Sequence, residues 1–207
     1  MHTAPALVSA IALVLAGAGA AAHAAATVGQ PAPAFSAVDA TGKPVSLADF
    51  KGRHVVLEWT NPGCPFVQKH YGAGNMQATQ KDAVARGVAW LTVNSTAADA
   101  RDHLRPAEMA AWMQAQKAAA TVTVMDIDGK VGRAYGARTT PQMFVIDPAG
   151  KLVYAGAIDD KPTANPADIP GATNHVKAAL AESLAGKPVS VASTRPYGCS
   201  VKYGSGA

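Results

Sequence analysis

Only two of the 207 residues are cysteines, and only 15% are charged. Two thiols exclude a disulfide-rich miniature scaffold and any four-cysteine zinc site. The formal charge is a mild +4, with no Lys/Arg run interleaved with aromatics, so nucleic-acid binding has little support. Beyond residue 26 no segment approaches the 18 consecutive apolar residues of a membrane span, so no stable membrane insertion is expected of the mature chain. The 49% apolar content overstates the core, because 46 residues are alanine. Even so, each expected element carries Val, Ile, Leu or Trp, which excludes disorder. The length fits one medium-sized domain.

Residues 1–26 contain no Asp, Glu, Lys or Arg. Ala6 to Ala16 is an apolar run of the length of a signal h-region, and Ala22-His23-Ala24 fits a small-x-small cleavage site. Residues 1–26 are therefore expected to be a signal peptide, cut after Ala24 or Ala26. The mature protein would be periplasmic or secreted, where disulfides persist.

In the remainder, strands and helices alternate. Ala34–Val38 and Lys43–Leu47 read as a short hairpin. His54–Trp59, Val88–Val93, Thr121–Met125, Gln142–Ile146 and Leu152–Ala155 read as strands. Helices are expected over 75–86, 106–119 and 174–185, with Asn75 capping the first and Pro106 opening the second. The pattern is that of an α/β domain over residues 27–186, followed by a Gly/Pro/Ser-rich tail, 187–207, that carries Cys199.

Cys64 is the sharpest chemical signal. It follows a strand and the breaker Asn61-Pro62-Gly63, and Pro65 suits a first helical position. The sulfur would then sit at a helix N-terminus, where free N–H groups favour an anion. A thiol of pKa ~8.5 is ~3% thiolate at neutral pH, and lowering the pKa to ~6 raises that to ~90%. Lys69 and His70 are placed to add positive potential. The plainer alternative is a buried cysteine acting as a small hydrophobe. Glu58, six residues upstream, could accept the thiol proton, or else faces solvent or pairs with an arginine. His54, His103 and His175 are scattered, and no metal ligand set or cofactor is called for.

Trp59-Thr60-Asn61-Pro62-Gly63-Cys64-Pro65-Phe66 resembles the active-site segment of thioredoxin-fold redox proteins. Thr139-Thr140-Pro141-Gln142 resembles their cis-proline segment, and Val28 to Phe35 with Leu47 to Gly52 is similar to the start of alkyl hydroperoxide reductase-type peroxiredoxins. The ending Gly198-Cys199-Ser200-Val201-Lys202 is similar to that of peroxiredoxin-like redoxins. The resemblance implies a three-layer α/β/α thioredoxin-like fold with an N-terminal β-hairpin extension. It also implies a thiol oxidoreductase whose substrate is a thiol/disulfide protein partner or a hydroperoxide. Thr140, Pro141, Asn61 and Trp59 would line the substrate.

The departures are informative. Asn61 stands where thioredoxins have their first cysteine and where peroxiredoxins have Thr or Ser. Leu57 replaces a peroxiredoxin proline, and Pro141 stands near the place of their arginine, with Arg138 three residues away. Cys199 could resolve an intermediate on Cys64. A static Cys64–Cys199 bridge in a non-catalytic binding module is the alternative.

Overall fold

The computed structural model describes residues 25–204. Most of the expected signal segment therefore lies outside the described residues. The strands are β1 (Ser36–Asp39), β2 (Pro44–Ser46), β3 (Val55–Trp59), β4 (Ala89–Asn94), β5 (Val122–Met125), β6 (Thr139–Thr140), β7 (Gln142–Ile146), β8 (Leu152–Gly156) and β9 (Cys199–Ser200). The helices are α1 (Pro65–Gly72), α2 (Asn75–Ala85), α3 (Pro106–Ala115), α4 (Lys130–Tyr135) and α5 (His175–Leu184).

Seven strands form a mixed sheet in the order β2-β1-β5-β4-β3-β7-β8. The centre, β5-β4-β3, is parallel, and β7 and β8 continue it antiparallel. The β1–β2 hairpin joins the far edge through β5. Helices cover both faces, giving the thioredoxin-like α/β architecture.

Every residue of β3 is buried, as its run of Val, Leu and Trp demands. Strand alternation divides it between two cores. Val55, Leu57 and Trp59 pack with Phe144, Ile146 and Tyr135. Val56 faces the other layer, with Val67 and Tyr71 of α1, Met76 of α2 and Leu180 of α5. Full burial of a side chain of this kind contributes about 1.5–3 kcal/mol. Among the described residues, no helix is long and apolar enough to cross a membrane.

Three local expectations change. Gly74, in a left-handed conformation, caps α2, while the Asn75 side chain instead meets His70 Nδ1 at 2.8 Å. Helix α3 stops at Ala115, and Lys117 beyond it has a positive φ of 53°. Helix α4 was not expected: six residues closed by left-handed Gly136 are too short to show a periodic stripe.

The tail is laced onto the domain. The Ala155 N–H donates to Ala192 at 3.1 Å, the Ala97 N–H donates to Lys202 at 2.9 Å, and β9 pairs antiparallel with β6.

Candidate active site

Cys64 is the N-cap of α1, with extended backbone and Pro65 in the first helical turn. The strand–breaker–cysteine–proline order builds this directly: β3 ends at Trp59, and the Cys64 N–H closes the turn onto the Asn61 carbonyl at 3.0 Å.

Cys64 is nonetheless only 2% exposed. The tail covers it. β9 pairs Cys199 with Thr140, and the Cys64 thiol donates to the Thr140 carbonyl at 3.0 Å. The Thr140–Pro141 bond is cis, as the resemblance implied.

Burial raises the Cys64 pKa, but the Cys199 and Thr140 side chains and the backbone N–H groups of Val67 and Cys199 favour the thiolate. The net direction is down. The Cys199 thiol behaves oppositely. Burial, together with its hydrogen bond to Cys64 and the Cys64 charge, pushes it up to about 12. Of the two, Cys64 ionises first, and Cys199 keeps its proton and donates toward it.

Lys69 and His70 do not supply free positive charge beside the sulfur. Both are buried, and each lies 3.9 Å from Asp159 Oδ2. Lys69 Nζ also donates to the Lys161 carbonyl at 2.9 Å. Burial drives the His70 pKa down to about 4, with Asp159 opposing and Lys69 reinforcing, so the ring is neutral near pH 7. These residues instead hold the tail. Tyr197 donates to Asp159 Oδ1, contacts His70 Nε2 at 3.2 Å and packs on Phe66 with ring centroids 5.8 Å apart.

Asn61 and Trp59 are placed differently from the substrate-lining expectation. The buried Asn61 amide donates to Thr96 Oγ1 (3.1 Å) and Asp102 Oδ2 (2.8 Å), and its oxygen accepts the Gly63 N–H (2.7 Å). That side chain fixes the loop before Cys64. Trp59 is fully buried in the layer opposite Cys64, and its indole N–H donates to Ser95 Oγ at 3.0 Å.

Glu58 neither faces solvent nor meets an arginine. It is wholly buried, accepting from Tyr71 Oη (2.8 Å), Trp90 Nε1 (2.7 Å), Gln80 Nε2 (3.0 Å) and Thr92 Oγ1 (3.3 Å). Burial raises its pKa to about 7 despite those four donors. Its hydrogen-bond partners all belong to this closed network, and neither sulfur is among them.

Sequence reasoning missed Tyr197, Asp159 and Gly198. Gly198 adopts φ +131°, and a Cβ there would stand 2.7 Å from the Thr140 carbonyl carbon, so only glycine lets the tail lie this close. Its place directly before Cys199 was the available signal.

Residues 28–155, more than half of the chain, match the model of the AhpC/TSA family. The chain belongs to the AhpC/TSA family. It is thus a redoxin, of the thiol–disulfide oxidoreductase and peroxiredoxin-like class. This AhpC/TSA chain is similar to a Mycobacterium tuberculosis protein named "Putative peroxiredoxin Rv2521". The two are 31% identical over 145 residues, covering 62% of this chain and 83% of the relative. In structure it resembles the hypothetical protein SMc02350 of Sinorhizobium meliloti, with a TM-score of 0.75 and 27% identity, over 88% of this chain and 98% of that one. A conserved Geobacillus kaustophilus protein gives a TM-score of 0.71 at 26% identity, over 87% and 94% of the two chains.

Proposed function

We propose that this redoxin is an exported thiol–disulfide oxidoreductase in which Cys64 is the nucleophile and Cys199 the resolving thiol. One observation carries the reading: both cysteines converge on Thr140, whose carbonyl accepts from the Cys64 thiol at 3.0 Å while its backbone pairs with Cys199. The Cys64 thiolate attacks one sulfur of a substrate disulfide. A Cys64–substrate bond forms, the substrate S–S bond breaks, and one thiolate leaves. Once the Cys64 charge is consumed, its share of the hold on the Cys199 proton is gone, while burial still opposes ionisation. Cys199 then gives its proton to solvent and attacks the Cys64 sulfur; the Cys64–Cys199 bond forms, the Cys64–substrate bond breaks, and the second substrate thiolate leaves and takes up a proton. The substrate has gained two electrons and the protein dithiol has become a disulfide, to be reset by an external thiol.

A hydroperoxide is the slower substrate in this reading. Thiolate attack would split the O–O bond to give an alcohol and a Cys64 sulfenic acid, and Cys199 would condense with it, releasing water. The Asn61 amide that replaces the family's hydroxyl residue is already committed to Thr96, Asp102 and Gly63, leaving no donor there for the peroxide. Export rests on the charge-free, alanine-rich leader. N-terminal sequencing of the mature protein should find Ala25 or Thr27 first, and retention of Met1 would refute it.

The test is stoichiometric. Reduced protein should lose two thiols per small disulfide consumed, and Cys64→Ser should abolish the reaction. Unchanged reduction by Cys64→Ser, or a bridge that resists all thiol reductants, would favour the non-catalytic staple.

A further inference from the structure

Helix α1 serves both cysteines. Cys64 is its N-cap, and Phe66, Lys69 and His70 follow at the i, i+3 and i+4 spacing of one helical face. Tyr197, two residues before Cys199, lands on that face. Its ring centroid is 5.8 Å from that of Phe66 and 5.8 Å from Lys69 Nζ.

The phenol is fixed from two directions. The Asn75 amide nitrogen can only donate, so His70 Nδ1, 2.8 Å away, accepts and the neutral ring carries its proton on Nε2. Nε2 then donates to Tyr197 Oη at 3.2 Å, and Oη in turn donates to Asp159 Oδ1. That carboxylate is buried beside Lys69 and also accepts the Lys161 N–H at 3.0 Å. Beyond Cys199 the tail is tied again. The Val201 N–H donates to the Arg138 carbonyl at 3.0 Å, and Tyr203, its ring over Gly132, donates to the Ala137 carbonyl at 2.7 Å.

Between these anchors only the short pairing of Cys199 and Ser200 with Thr140 and Thr139 holds the chain down. Cys64 is 2% exposed beneath it, so any disulfide that reaches the sulfur needs β9 to lift. A buried hydrogen bond to a carboxylate is the stronger tie, and the two-residue ladder is the part that yields.

We propose that Tyr197 is the positioning residue of the resolving step: seated on α1, it keeps Cys199 tethered over Cys64 while β9 lifts for the substrate. This rests on Cys64 being the nucleophile and Cys199 the resolving thiol. In the step concerned, the Cys64–Cys199 bond forms, the Cys64–substrate bond breaks and the substrate thiolate leaves. Without the seat, the next tie upstream is Thr194, whose N–H donates to the Ala155 carbonyl at 3.2 Å and whose Oγ1 accepts the Ala157 N–H at 2.9 Å. The free span then runs from Thr194 to Val201. Closing the longer span alone slows the step by about twofold. Loss of a hydrogen bond to a charged group slows it by up to about tenfold.

The experiment mixes reduced, full-length protein with 2-hydroxyethyl disulfide, quenches in acid at intervals and follows the Cys64 adduct by mass spectrometry. The proteins are wild type, Tyr197→Phe, which keeps the ring and loses both hydrogen bonds, and Tyr197→Ala. In a Cys199→Ser background, release of the same adduct by 2-mercaptoethanol reads the reactivity of the Cys64 sulfur alone. Conversion of adduct to internal disulfide should slow by about twofold to tenfold, most in Tyr197→Ala, while release by the external thiol is not slowed. Conversion unchanged in both folded variants, or conversion and external release slowed alike, would overturn the positioning role. Absence of any Cys64 adduct in the Cys199→Ser protein would instead overturn the nucleophile assignment, and the positioning role with it.

Discussion

Thr140 serves both sulfurs: its carbonyl accepts from the Cys64 thiol at 3.0 Å, and its backbone pairs with Cys199. Both sulfurs are thus held by one residue of β6. The arrangement depends on the tail being docked.

The first prediction concerns ionisation. Cys199 is the foremost influence lowering the Cys64 pKa, with the Thr140 side chain next. Cys199→Ala should therefore move the Cys64 midpoint upward, read by ultraviolet thiolate absorbance across a pH titration. A midpoint unchanged or lower would show that Cys199 does not poise the nucleophile.

The second concerns pH and stability. The Glu58 pKa is raised by burial from 4.5 to about 7, so its stabilising contribution is complete below 4.5 and fades as pH climbs to 7. The His70 pKa is lowered by burial from 6.5 to about 4, so its contribution is complete above 6.5 and fades as pH drops to 4. The two slopes oppose each other, and wild-type stability should change little from these groups over the shared window. Glu58→Gln removes one slope, on the order of 3 kcal/mol across its range. Denaturant unfolding of that variant should then show stability rising with pH between about 4 and 6.5. A slope identical to wild type would contradict the assignment.

Much of this site was legible in the chain. Cys64 at a helix cap followed from the strand, the Pro-Gly breaker and Pro65. Strand alternation carries a further signal: neighbours in a strand face opposite ways, so Trp59 and Glu58 cannot both look toward the cysteine. The Glu58 environment could not be read, because its four donors come from α1, α2 and β4, brought together only by folding. The two-residue strand β9 lay equally out of reach. It has no periodicity of its own and exists because Gly198 lets the tail meet Thr140 and because Tyr197 and Tyr203 anchor it.

The third prediction tests that anchoring. Gly132 is buried beneath Tyr203, and a Cβ there would overlap the ring. Gly132→Ala should loosen the tail and speed proteolysis near Val201–Tyr203, leaving the core helices protected. Equal cleavage rates would mean that the ring is not the anchor.

The fourth concerns oxidation. A Cys64–Cys199 bridge closes a loop of about 135 residues, for which chain entropy gives at most roughly 5 kcal/mol. The oxidised protein should unfold at a higher denaturant concentration than the reduced one. Equal midpoints would mean that the bridge does not form or is offset by strain.

Trapping the intermediate tests the central claim most directly. Reduced Cys199→Ser protein is mixed with one equivalent of 2-hydroxyethyl disulfide, quenched in acid and mapped by mass spectrometry. A single adduct on Cys64 should accumulate, while wild type under the same conditions ends as the intramolecular Cys64–Cys199 disulfide with no adduct retained. No adduct on Cys64 in the folded variant, or a stable adduct on wild-type Cys199, would contradict the account.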